Sequence, residues 1–66
     1  MKVEINYKPI EAPRGIKLEE LLRREGIALT GAAVAVDNKV VPRRDLSSFE
    51  VEEGMKITVI RAVCGG

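Results

Sequence analysis

Val3, Ile5 and Tyr7 alternate with Lys2, Glu4 and Asn6, and a period of two predicts a strand with one buried face. Asn6 to Pro9 reads as a hairpin turn, because Pro9 has no N–H to give a ladder. Ile10 to Ala12 predicts a short returning strand, ended by Pro13 and Gly15. From Leu18 to Glu25 the period becomes helical. Leu18, Leu21 and Leu22 fall at i, i+3 and i+4 on one face, and Glu19, Glu20, Arg23 and Arg24 occupy the other. Glu19 with Arg23 and Glu20 with Arg24 form i,i+4 pairs in the order the helix dipole favours. Gly26 is a natural stop, whereas Lys17 is not a capping residue.

Beyond the helix, Ala33 to Val36 predicts a strand, Asp37-Asn38-Lys39 a tight turn, and Val40-Val41 a short partner stopped by Pro42. Asp45 to Phe49 reads as a single helical turn and Glu52-Glu53-Gly54 as another turn. Lys56 to Ala62 is rich in β-branched residues and suits a central strand. The order β-β-α-β-β-β predicts an α+β fold: a mixed sheet of four or five strands with one main helix on one face. Leu21 and Leu22 are expected to meet Val3, Ile5, Val34, Val36, Ile57 and Val59 in a single core.

Composition narrows what such a fold can do. The 66 residues predict one domain, and a domain of this size buries only about 60% of the surface its unfolded chain exposes, leaving little room for a deep substrate cavity. The chain is therefore not expected to be an enzyme, and no catalytic residue is assigned. It contains no His and a single Cys, so an internal disulfide, a four-Cys zinc site and a Cys-ligated cluster are excluded and no metal site is expected. The net charge of +1 is spread over interleaved acids and bases, with Tyr7 and Phe49 the sole aromatics. Neither a basic nucleic-acid face nor a stacking platform follows. The opening residues begin an alternating pattern and not an apolar signal region, and no apolar stretch reaches membrane-spanning length. A cytoplasmic protein is the expectation.

The candidate chemistry lies in the last residues of the sequence. Gly65-Gly66 follows the final strand, and residues without Cβ atoms pass through channels too narrow for any other residue. A flexible tail at about 63–66 is expected, with the Gly66 carboxylate at its tip. Cys64 has only Arg61 nearby to lower a thiol pKa, so it reads either as an inert tail residue or as a partner for another Cys. If Ile57 and Val59 face the helix, alternation puts Ile60 and Ala62 on the opposite face, and likewise Ala33 and Ala35. That small apolar patch is a candidate docking surface. Arg43 and Arg44 read as docking residues or as solvated loop charges.

Taken in order, Asn6, Gly15, Leu18, Glu20-Leu21-Leu22, Val34-Ala35-Val36, Asp37-Asn38, Val41-Pro42-Arg43, the strand from Ile57 and the final Gly65-Gly66 resemble the ubiquitin-like β-grasp sulfur carriers of the ThiS/MoaD family. The likeness runs over essentially the whole length, and Val41-Pro42-Arg43 and the short chain are most similar to carriers of the thiamine pathway. The sequence departs from the family pattern at Lys39, Leu46 and Met55. The resemblance implies a β-grasp fold and a carrier that binds no cofactor itself. A ThiF-like adenylating enzyme, using ATP and magnesium, would convert the Gly66 carboxylate to an acyl-adenylate. A sulfur donor such as a cysteine desulfurase would then supply sulfur that displaces AMP, leaving a thiocarboxylate for a ThiG-like thiazole synthase. Three other readings stay open: a small subunit of the molybdopterin-synthase type, a ubiquitin-like modifier joined through Gly66, and an interaction module that ignores its terminus.

Overall fold

The computed structural model describes residues 1–61. Strands β1 (Lys2–Ile5) and β2 (Lys8–Glu11) form a hairpin, followed by helix α1 (Leu18–Arg24). A second hairpin, β3 (Ala32–Val36) and β4 (Lys39–Val41), leads through a 3₁₀ turn at Arg43–Asp45 to β5 (Lys56–Arg61). These elements make one five-stranded sheet in the order β2-β1-β5-β3-β4. β1 and β5 are parallel and the other pairs antiparallel. This is the expected mixed β-grasp sheet, with β5 at its centre.

A helix of only seven residues is not stable alone, so α1 depends on the face it buries. Leu18, Leu21 and Leu22 are buried in one cluster with Val3, Ile5, Val34, Val36 and Ile57. Val59 packs against that cluster from its margin. Each fully buried Leu contributes about 1.5–3 kcal/mol, and the stripe outweighs the ion pairs opposite it. Of the two expected pairs, Glu19–Arg23 closes at 3.3 Å, and no Glu20–Arg24 bridge forms among the described residues.

The weak start of α1 is stabilised from elsewhere in the chain. Lys17 makes no side-chain cap. Instead the N–H groups of Leu18 and Glu19 donate to the carbonyls of Phe49 (2.8 Å) and Leu46 (3.0 Å), taking up donors that a helix leaves unpaired at its first turn. The same segment buries Leu46 and Val51 in the core. At the other end Gly26 (φ +75) donates to Arg23 and Ile27 to Leu22, both at 3.0 Å, which is a Schellman closure.

Two local expectations are corrected and a third is extended. Tyr7 does not continue β1: Asn6 and Tyr7 form the turn itself, with φ of 51 and 70, and the Tyr7 side chain is 87% exposed. Pro9 lies inside β2, opposite Glu4. Counting from the Ile5↔Lys8 pair beside the turn, that position is a non-hydrogen-bonded one, so the missing N–H faces the open edge, where proline is tolerated. The helical turn expected over Asp45 to Phe49 is preceded by the 3₁₀ turn at Arg43–Asp45, and the stretch keeps a single i,i+4 bond from Phe49 N–H to the Asp45 carbonyl at 2.8 Å.

Candidate functional site

β5 carries the chain toward its final residues, so its surroundings define the base of the expected tail. Its β-branched residues suit an extended chain, with Ile57 and Val59 turned toward the core and Ile60 away from it. β3 pairs with β5 from Val36↔Ile57 to Ala32↔Arg61. On the other side β1 pairs only at Glu4↔Lys56 and Ile5↔Ile57, because the chain turns away at Asn6. Asn6 continues the ladder in two ways. Its N–H donates to the Ile57 carbonyl at 2.9 Å, and its side-chain Oδ1 accepts the Val59 N–H at 2.9 Å. Ala62, Cys64, Gly65 and Gly66 lie outside the described residues.

The sheet face away from α1 carries the expected apolar patch in altered form. Ile60 is 52% exposed and sits in register with Ala33, which is also exposed. Ala35 shares this face but is only 8% exposed. Its methyl group is enclosed between Val40 and Thr58, its cross-strand neighbours in register. It is therefore the floor of the patch and not a contact residue. Val40, read from the sequence as part of the short partner strand but not of the patch, is 68% exposed and extends the patch onto β4. The signal for it existed: with Val41 in the core, its neighbour in the strand must face outward.

Arg43, read as a docking residue or a solvated loop charge, is exposed and makes one side-chain contact within the chain. Its Nη2 donates to the Leu29 carbonyl at 2.7 Å and fastens the loop between α1 and β3. Arg44 is exposed.

A cleft of about 390 Å³ opens beside the β3–β4 turn and is lined by Asp37, Pro42, Phe49 and Met55 among others. It lies at the start of β5, where Val36 pairs with Ile57, and Arg61 is at the opposite end beside Ala32. Asp37 Oδ1 is already engaged there by the Lys56 N–H at 3.1 Å. The cleft therefore brings no charged group to the base of the tail. Among the described residues no cluster of three or more His, Cys, Asp or Glu is placed to hold a metal ion. No helix among them is long and apolar enough to cross a membrane.

The ThiS family model matches residues 3–66. The sulfur carrier protein ThiS of Escherichia coli (strain K12) is 27% identical over 66 residues, with all of both chains covered. The crystal structure of the thiamine biosynthesis protein ThiS from Geobacter metallireducens has the same fold, with a TM-score of 0.84 at 22% identity and full coverage of both chains. A solution structure of a thiamine biosynthesis protein from that organism has a TM-score of 0.76 at 22% identity, covering all of this chain and 88% of the other.

Proposed function

We propose a function from the premise that this chain belongs to the ThiS family: it is a sulfur carrier whose Gly66 carboxylate is activated by a partner enzyme and converted to a thiocarboxylate, which donates sulfur to thiazole formation in thiamine biosynthesis. The observation that carries this reading is a family match running through Gly65-Gly66. The full-length alignment with the Escherichia coli sulfur carrier protein ThiS supports it.

The chain acts as co-substrate and the partners supply catalysis. An α-carboxylate has an ordinary pKa of about 3.3–3.7 and is ionised at neutral pH. Such an oxygen attacks the α-phosphorus of ATP, and pyrophosphate leaves with the bridging oxygen. A ThiF-like adenylating enzyme would hold the ATP and magnesium and stabilise the developing charge. In the second stage a persulfide sulfur from a donor such as a cysteine desulfurase bonds to the acyl carbon, and AMP leaves with the electrons of the acyl C–O bond. A thiol then cleaves the acyl disulfide, forming a disulfide with the donor and leaving the thiocarboxylate. A ThiG-like thiazole synthase takes the sulfur, and the whole sequence runs in the cytoplasm. Gly65 and Gly66 contribute the absence of side chains.

Docking of these partners is assigned to Ile60, Ala33 and Val40 on the bare sheet face. An exposed apolar patch with a polar rim suits a protein interface. Activating enzyme and sulfur acceptor would use the same patch, so their binding is mutually exclusive.

The test is deletion of Gly66, or addition of one residue after it, followed by ATP–pyrophosphate exchange with the cognate adenylating enzyme. Exchange is lost while the thermal transition is unchanged. Exchange at the wild-type rate in either variant overturns the carrier reading.

A further inference from the structure

We infer that Asn6 is a positioning residue for adenylation: its side chain fixes the direction of β5 up to Arg61, the strand from which the adenylating partner takes up the end of the chain. The inference rests on the carrier reading and adds a residue that never touches the reacting carboxylate.

The reasoning starts from an imbalance around β5. On its β3 side the strand is paired as far as Arg61. On its β1 side the strand ladder stops at Ile57, since β1 ends at Ile5 and the chain reverses through Asn6 and Tyr7. Beyond Ile57, β5 is therefore paired with a strand along one side only. The Asn6 Oδ1 bond to the Val59 N–H, at 2.9 Å, supplies the acceptor that a longer β1 would have offered. It holds β5 from the second side two residues before Arg61.

Asn suits the first position of a two-residue turn with positive φ at both positions, as Asp and Gly do, but the turn itself makes no use of the amide oxygen that reaches Val59. Asn tolerates that conformation and also brings an acceptor. Its amide oxygen reaches a residue 53 positions away in the chain, which a local turn does not require. Geometry at the reacting centre is sensitive to such supports: an offset of about 1 Å arising far from the chemistry lowers rates by up to about a hundredfold.

The experiment compares wild type, Asn6→Gly, Asn6→Asp and the Gly66 deletion, as full-length chains, in ATP–pyrophosphate exchange with the cognate adenylating enzyme over a range of carrier concentrations. Asn6→Gly keeps the turn and loses the acceptor; Asn6→Asp keeps both. In Asn6→Gly kcat falls about tenfold, while KM for the carrier stays within about twofold because the docking face is unchanged. Asn6→Asp stays close to wild type. Amide exchange at Val59 accelerates in Asn6→Gly and not in Asn6→Asp. Wild-type kcat in Asn6→Gly, or an Asn6→Asp variant as slow as Asn6→Gly, overturns the positioning role and leaves the carrier reading standing. A wild-type chain that supports no exchange, or a Gly66 deletion that supports as much, overturns both.

Discussion

The two hairpins flank β5 from opposite sides and close in the same way, yet they bear differently on it. Each turns through two non-glycine residues in the left-handed region, Asn6-Tyr7 at φ 51 and 70 and Asp37-Asn38 at φ 50 and 70. In each the first turn residue directs a side-chain oxygen at a β5 amide: Asn6 at Val59 (2.9 Å) and Asp37 at Lys56 (3.1 Å). Asp37 acts where β5 is already held by its own main-chain bond to the Lys56 carbonyl and by β1 at Glu4↔Lys56. Asn6 acts beyond the last β1 pair. Asn6 also donates its main-chain N–H to the Ile57 carbonyl, so what sets its side-chain bond apart is position: it reaches Val59, two residues past the last β1 pair. A hydrogen bond is consequential where the ladder beside it has ended, and its length and partners alone do not reveal that.

The largest expected effect removes what the hairpins have in common. Leu21 is buried beneath both, in a cluster that includes Val3 and Ile5 of one and Val34, Val36 and Val41 of the other. Leu21→Ala is expected to cost about 2–5 kcal/mol in urea denaturation, with hydrogen-exchange protection lost from both hairpins together. A loss below about 0.5 kcal/mol, or protection lost from one hairpin only, breaks the picture of a shared floor.

A smaller effect sharpens the contrast directly. Asp37→Gly and Asn6→Gly each remove one side-chain acceptor at a position that suits Gly, and each is expected to cost about 0.5–1.5 kcal/mol. Stability changes alike, but adenylation slows only in Asn6→Gly. Equal slowing in Asp37→Gly would show that activity follows stability and not the direction of β5.

The smallest effect on stability belongs to the outer face. Ile60→Glu on β5 and Val40→Glu on the second hairpin are expected to shift stability by no more than about 0.5 kcal/mol, as exposed substitutions do. Titration calorimetry with the adenylating enzyme should nevertheless show weakened binding for both. If Ile60→Glu unfolds the domain, the side chain is in the core and the β5 register is shifted by one. If both variants bind like wild type, the bare face is not where the partner docks.

What could be read from the sequence divides along the same line between local and distant. Element types, their order, the Leu stripe and the central β5 were legible because periods of two and 3.6 are local signals. The first turn was misplaced because apolar alternation runs on through Tyr7 and neither turn position is Gly. Pro9 looked like a breaker because its position on an edge strand is a property of the assembled sheet. The start of α1 is satisfied by carbonyls from Leu46 and Phe49, residues that no local capping rule inspects. Ala35 was placed on the correct face but not at the correct depth, since its exposure is set by Val40 and Thr58 on neighbouring strands. The Asn6 bond to Val59 is the extreme case: the residue type was visible, the partner was not. Gly65 and Gly66 stand out in the sequence by their missing side chains and again by their place in a family pattern.

Intact mass spectrometry of the protein isolated from its native cell, with fragmentation to locate any change, bears most directly on the carrier function. A population carrying an oxygen-to-sulfur mass increase confined to Gly66, absent when the adenylating enzyme is deleted, is the predicted result. A chain found only at its unshifted mass, or only in high-mass conjugates through Gly66, contradicts it.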